Sequence, residues 1–155
     1  MTTLSTLAIS LHILSAVLWV GGMFFAHQVL RPVAVQQFEP PQRLRLWSQV
    51  FTRFFPWVWL SVVLLLVTGY WMVFKLFGGM AAVGLHVHIM QGLGWVMVLL
   101  YMHLYFAPFR RLKEAVVTEQ WPEAGKRLNQ IRFIVGVNLS LGLIVIAVAA
   151  GGRYI

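Results

Sequence analysis

Cysteine is absent from this chain, and so is aspartate. Without cysteine there are no disulfides, no thiolate metal ligands, no thioether-attached haem and no iron–sulfur cluster held by cysteine. Carboxylates are scarce: Glu39, Glu114, Glu119 and Glu123 are the only acidic side chains, and none falls in a long apolar run. A proton relay built on carboxylates at membrane depth is therefore excluded. Charge of either sign is sparse, at 10% of the 155 residues against 60% hydrophobic. Soluble domains carry about 25% charged residues, so this balance belongs to the membrane class.

What the chain does have is long uncharged runs, at 2–30, 54–74, 76–109 and 133–152. Each supplies the roughly 20 apolar residues that a spanning helix needs. The expected fold is all-α, an integral membrane four-helix bundle with helices near 5–29, 54–76, 84–107 and 132–151, forming one domain over 1–155. Residues 1–30 read as the first helix rather than a signal peptide. They lack a basic leading segment and a small-residue cleavage site, and the apolar run is too long.

The net charge of +8 is unevenly placed. Arg31, Arg43, Arg45 and Arg53 lie between the first and second runs; Arg110, Arg111, Lys113, Lys126, Arg127 and Arg132 lie between the third and fourth. Only Lys75 and Arg153 lie on the other side. Ten against two is a strong positive-inside signal. It predicts a multi-pass protein of the bacterial inner membrane, with both termini outside and both long loops in the cytoplasm. The basic charge then sets orientation and meets anionic lipid, not nucleic acid.

The short outer turn Gly78-Gly79-Met80-Ala81-Ala82 makes helices two and three antiparallel neighbours. Pro32, Pro40 and Pro41 are expected to end helix one and break the first inner loop. From Gln42 an amphipathic pattern (Leu44, Leu46, Val50, Phe51) leads into helix two as an interfacial helix, with Pro56 a candidate kink. The second inner loop reads as helical, broken near Trp121-Pro122. Trp47, Trp57, Trp59 and Trp121 suit an interfacial belt. Gly21, Gly22, Gly92, Gly94, Gly136 and Gly142 are candidates for close helix contacts; a homo-oligomer is among the expected partners.

The five histidines carry the chemistry. Histidine is costly in a bilayer, so its default reading there is functional. His12 and His27 are 15 residues apart in helix one; His88 and His103 are 15 apart in helix three. That interval is about four turns, or roughly 22 Å along the axis. Because helices one and three are parallel, His12 is expected at the depth of His88, and His27 at that of His103. Two imidazoles make a six-coordinate haem centre, so this spacing fits one or two bis-histidine haems b. The stripe His12, Ala16, Trp19, Met23, His27 should face the bundle. In helix three two stripes compete: His88, Gly92, Leu99, His103 and His86, Met90, Met97, Tyr101. Matched spacing favours His88, and a modest rotation gives the role to His86. Arg53 and Arg110, with Arg31 and Arg111, are candidate partners for haem propionates at the inner side. A copper reading stands beside this one: Met80, His86, His88, Met90 and His12 gather at the outer side, and thioether with imidazole suits Cu(I).

The run Leu11-His12-Ile13-Leu14-Ser15-Ala16-Val17-Leu18-Trp19-Val20-Gly21-Gly22 resembles the opening helix of the copper-resistance D (CopD) family and of the related HemJ-type protoporphyrinogen oxidases. Arg53-Phe54-Phe55-Pro56, followed by Leu64-Leu65-Leu66-Val67-Thr68-Gly69, resembles the second helix of the same group. Leu85-His86 and Tyr101-Met102-His103-Leu104-Tyr105 resemble the ends of the HemJ-type third helix. The resemblance implies a four-helix membrane bundle and, for HemJ-type members, a b-type haem; carried over, it nominates His12, His86 and His103. The chain departs from the HemJ-type pattern at His88, where that group carries lysine, and His27 has no counterpart there. The expected function is a cytochrome b-like membrane redox protein, exchanging electrons with quinone or a periplasmic partner. Copper handling and protoporphyrinogen oxidation are the alternatives.

Overall fold

A computed structural model of the protein describes residues 2–154. It is all-helical, with no strand among the described residues, and four helical spans are long and apolar enough to cross a membrane. The first span, Thr3–Gln37, consists of α1 (Thr3–Phe24), a π-helical turn (Phe25–Leu30) and α2 (Arg31–Gln37). The second, Pro40–Leu76, is α3 (Pro40–Trp71) followed by a π-helical turn (Met72–Leu76). The third, Leu85–Val117, joins α4 (Leu85–Leu104) through a π-helical turn (Tyr105–Phe109) to α5 (Arg110–Val117). The fourth is α6 (Trp121–Gly151).

All four helices reach further into the loops expected to lie inside than the apolar runs do. Pro32 does not end the first helix, which continues to Gln37. The π-helical turn just before it loosens the hydrogen-bond ladder, so the missing proline N–H is absorbed at the first positions of α2. Pro40 and Pro41 start α3 rather than breaking a loop, because an N–H is not needed in a first turn. The amphipathic segment runs unbroken through Pro56 into the second span, as expected. The second inner loop is α5 and the start of α6, parted at Thr118–Gln120, with Glu119 in a left-handed conformation (φ 56°). At the outer turn Gly78 and Gly79 have φ of 84° and 109°, the region where a side chain is strained.

The first span packs along the second, the third along the fourth, and the fourth also meets the first. The first and third spans are diagonal and meet near mid-bundle, where Trp19 lies edge-on to Tyr101 with centroids 6.0 Å apart. Lipid is as apolar as leucine, so helices here are held by close packing and buried polar bonds rather than by exclusion of water. Gly142 lets three spans converge: a Cβ there would stand 2.8 Å from Val20 Cγ2 and 3.2 Å from Met97 Cε. Asn138, buried, donates its side-chain N–H to the Met97 carbonyl (3.1 Å). Tyr101 donates to the Phe55 carbonyl (3.1 Å) and is ringed by Trp19, Phe55, Trp59 and Tyr105. Trp47, expected in the interfacial belt, is instead buried against Phe51.

The packed core is uneven. Of the third span nothing from Leu85 to Val96 is buried, and of the fourth nothing from Leu143 to Gly152. The first and second spans do bury residues at that end: Ser5, Ala8, Thr68 and Val73. Leu14, Val17, Phe25, Val63, Val67, Leu99 and Phe133 are exposed, forming a large apolar surface that a bilayer covers.

Candidate metal centre

His12 is the histidine with a built environment. Its stripe faces the bundle: Ala16 is half-buried, Trp19 and Met23 are buried. Its Nδ1 lies 2.9 Å from Thr68 Oγ1 on the second span. The Thr68 hydroxyl spends its own proton on the Leu64 carbonyl, so it accepts from His12, and Nδ1 carries the imidazole proton. Nε2 is left as the lone-pair donor. A ligating histidine is typically held this way, with its second ring N–H given to an oxygen that fixes tautomer and ring plane. Gly69 makes room: a Cβ there would stand 3.2 Å from His12 Cε1.

On the third span the rotation is set by Tyr101. With Tyr101, Met97 and Val98 buried, the inward stripe continues outward through Gly94, Met90, Val87 and His86, all half-buried. His86 packs against Gly152, at the outer end of the fourth span, where a Cβ would collide with it. The stripe favoured by matched spacing faces away: His88, Gly92, Leu99 and His103 are all exposed. The inward outer histidine is therefore His86 rather than His88, because burying an aromatic ring with a hydrogen-bonded hydroxyl outweighs an imidazole that has no partner. Tyr70 ties the second and third spans at this level, accepting from Gln91 Nε2 (2.7 Å) and Trp95 Nε1 (2.9 Å).

The inner pair is not brought together. His27 lies in the first π-helical turn with Nε2 against Gly136, 3.3 Å from where a Cβ would be, beside Arg31 and Arg132. His103 opens into a groove of about 910 Å³ between the inner ends of the third and fourth spans, with Arg111, Lys126 and Phe133. The two imidazoles lie on different faces of α6 and share no cavity-lining residue. Arg53 is exposed, and Arg110 is exposed with its Nε 3.9 Å from Glu114; neither faces the bundle. Among the described residues no three His, Cys, Asp or Glu side chains cluster as a metal site. A site at His12 thus needs methionine or few protein ligands. Met72, Met80 and Met90 are half-buried toward the outer end, Met90 one turn from His86.

A profile of the family described as copper resistance protein D matches residues 48–151. The chain belongs to the copper resistance protein D family. No curated protein and no solved structure matches it. With four apolar spans, this CopD family member is a multi-pass membrane protein. The matched stretch holds Thr68, Gly69, His86 and Met90 and begins after the span that carries His12. Thr68 was not singled out from sequence. Its signal was there, as the one serine or threonine between Val62 and Leu76, directly before a glycine.

Proposed function

We propose that this CopD family protein handles copper, as Cu(I), in the outer half of its bundle. His12 is the anchoring ligand through Nε2; His86 and Met90, on the inward stripe of the third span, supply further imidazole and thioether. The observation that carries this reading is the His12–Thr68–Leu64 relay, which presents one imidazole lone pair at fixed orientation inside a membrane bundle. Soft thioether and imidazole donors suit Cu(I), and no thiolate competes because cysteine is absent. The ten-to-two charge asymmetry supports a location of this half at the periplasmic face of a bacterial inner membrane.

A second reading, haem b at the same place, is favoured by the lack of buried residues in the outer halves of the third and fourth spans. A flat macrocycle needs space that a single ion does not. There His12 and His86 are the axial candidates, and bound haem supplies one-electron chemistry; quinone or a periplasmic protein is the redox partner. Two haems are not favoured, since His27 and His103 face apart.

Purified protein is assayed for Cu(I) by competition with a chromogenic chelator, and its visible spectrum is recorded after expression with haem supplied. Colourless protein that holds Cu(I) and loses it in His12→Ala supports the copper reading. A stoichiometric haem b spectrum lost in His12→Ala replaces it with the second. Neither ligand, or either one unaffected by His12→Ala, overturns the assignment of this site.

A further inference from the structure

We propose that the inner ends of the first, second and fourth spans form a binding site for a phosphate group, carried by an anionic phospholipid of the inner leaflet. The site is separate from the outer half and stands whatever metal that half takes. Its residues are Arg31, Arg132, His27 and Trp47, which line one small cavity.

The cavity is bordered by positive charge with no counter-charge. Arg132 is half-buried and feels the like charges of Arg31 and Arg43; His27 feels those of Arg31 and Arg132. Three of the four glutamates are engaged elsewhere, Glu114 with Arg110, Glu119 with Arg45 and Glu123 with Arg127. The Glu39 carboxylate is within salt-bridge distance of no cation among the described residues. Cations left together at a half-buried site call for an anion from outside the chain.

An independent observation points the same way. The indole N–H of Trp47 is fully buried, Trp47 being 4% exposed, and has no hydrogen-bond partner. Buried donors are nearly always satisfied, so an orphan marks a missing acceptor. A water is a poor candidate. The indole and both guanidinium groups are donors only, so a water here would accept bonds and find few acceptors for its own protons. An oxyanion is all acceptor. The cavity, open at its mouth, offers about 20 Å³, room for roughly one oxygen or one water. One phosphate oxygen therefore enters the cavity that Trp47 lines, where a small side-chain shift brings it to the indole N–H, while the others stay at the mouth with Arg31 and Arg132. At the inner interface the abundant phosphate is the lipid headgroup, and inter-helix basic pockets on this side suit anionic lipids.

The test uses the full chain in neutral detergent, titrated with short-chain phosphatidylglycerol, phosphatidylcholine or inorganic phosphate. Bound lipid is counted by native mass spectrometry and stability is followed as Tm. Wild-type protein is expected to retain phosphatidylglycerol over phosphatidylcholine and to gain Tm with it. Trp47→Phe keeps the ring and removes the donor; it should weaken retention about tenfold, the scale of one hydrogen bond to a charged group, while leaving Tm without lipid unchanged or raised. Arg132→Gln should weaken it further. Protection by inorganic phosphate alone, lost in Trp47→Phe, supports the site and assigns the phosphate to a soluble source. Retention that is equal for both lipids, or that survives Trp47→Phe yet is lost in Arg111→Gln/Lys126→Gln, overturns the proposal and moves lipid binding to the groove beside His103.

Discussion

Thr68 does for His12 what the sequence alone did not reveal. The imidazole was legible because histidine is rare and expensive in a bilayer. Its orienting partner was not, because a threonine in an apolar helix ordinarily satisfies itself on the carbonyl four residues back, as Thr68 also does with Leu64. The pairing across 56 residues of chain becomes visible only once the first two spans are docked. Thr68→Val should preserve shape and remove the acceptor. Cu(I) affinity is then expected to fall about 10- to 100-fold, the usual cost of losing an outer-shell partner, with thermal stability of the metal-free protein little changed. Affinity equal to wild type would show that Thr68 does not orient the ligand. His86→Ala and His88→Ala separate the two stripes of the third span. The first should weaken binding at the outer site, and the second should leave it as it is; the reverse outcome would rotate the third span by about 200° from its place here.

At the scale of the element, four spans and their order were readable from charge-free length alone, and the break near Trp121-Pro122 from its proline. Helix rotation was not. Matched 15-residue spacing favoured the face of His88 and His103, but rotation in lipid follows what packs best, and Tyr101 offers a ring, a hydroxyl and four aromatic neighbours. His103 is two positions from Tyr101 and so points the other way. The π-helical turns were equally invisible, because no residue pattern in the three segments separates them from ordinary helix. The glycines divide by the same logic: Gly136 and Gly142 sit at contacts, whereas Gly21, Gly92 and Gly94 have nothing within 4 Å of a Cβ. Gly142→Ala should therefore lower bundle stability by about 1–3 kcal/mol through overpacking against Val20 and Met97. Gly92→Ala should be neutral or slightly stabilising, as expected when glycine in a helix becomes alanine. Denaturation of both variants in detergent checks the pair, and equal effects would contradict the packing described.

For the whole molecule, the absence of cysteine becomes an experimental convenience. A single introduced thiol reports its own side of the membrane with no background. Ala81→Cys in the outer turn should react with a membrane-impermeant maleimide in intact cells, and Gln120→Cys between α5 and α6 only after lysis. The opposite pattern would turn His12 and His86 toward the cytoplasm, so that copper would be met from inside. The uneven core has a consequence for how such an encounter is felt. Where few side chains interlock, helix ends shift against one another at low cost, and a ligand that binds only the closed form shows up as local order. Amide exchange between Leu85 and Val96 and between Leu143 and Gly152 should slow when the outer site fills, while the stretch around Tyr101 and Ile131 stays as it was. The protein would then behave as a clothes-peg does, its inner half the spring that holds the shape and its outer half the jaws.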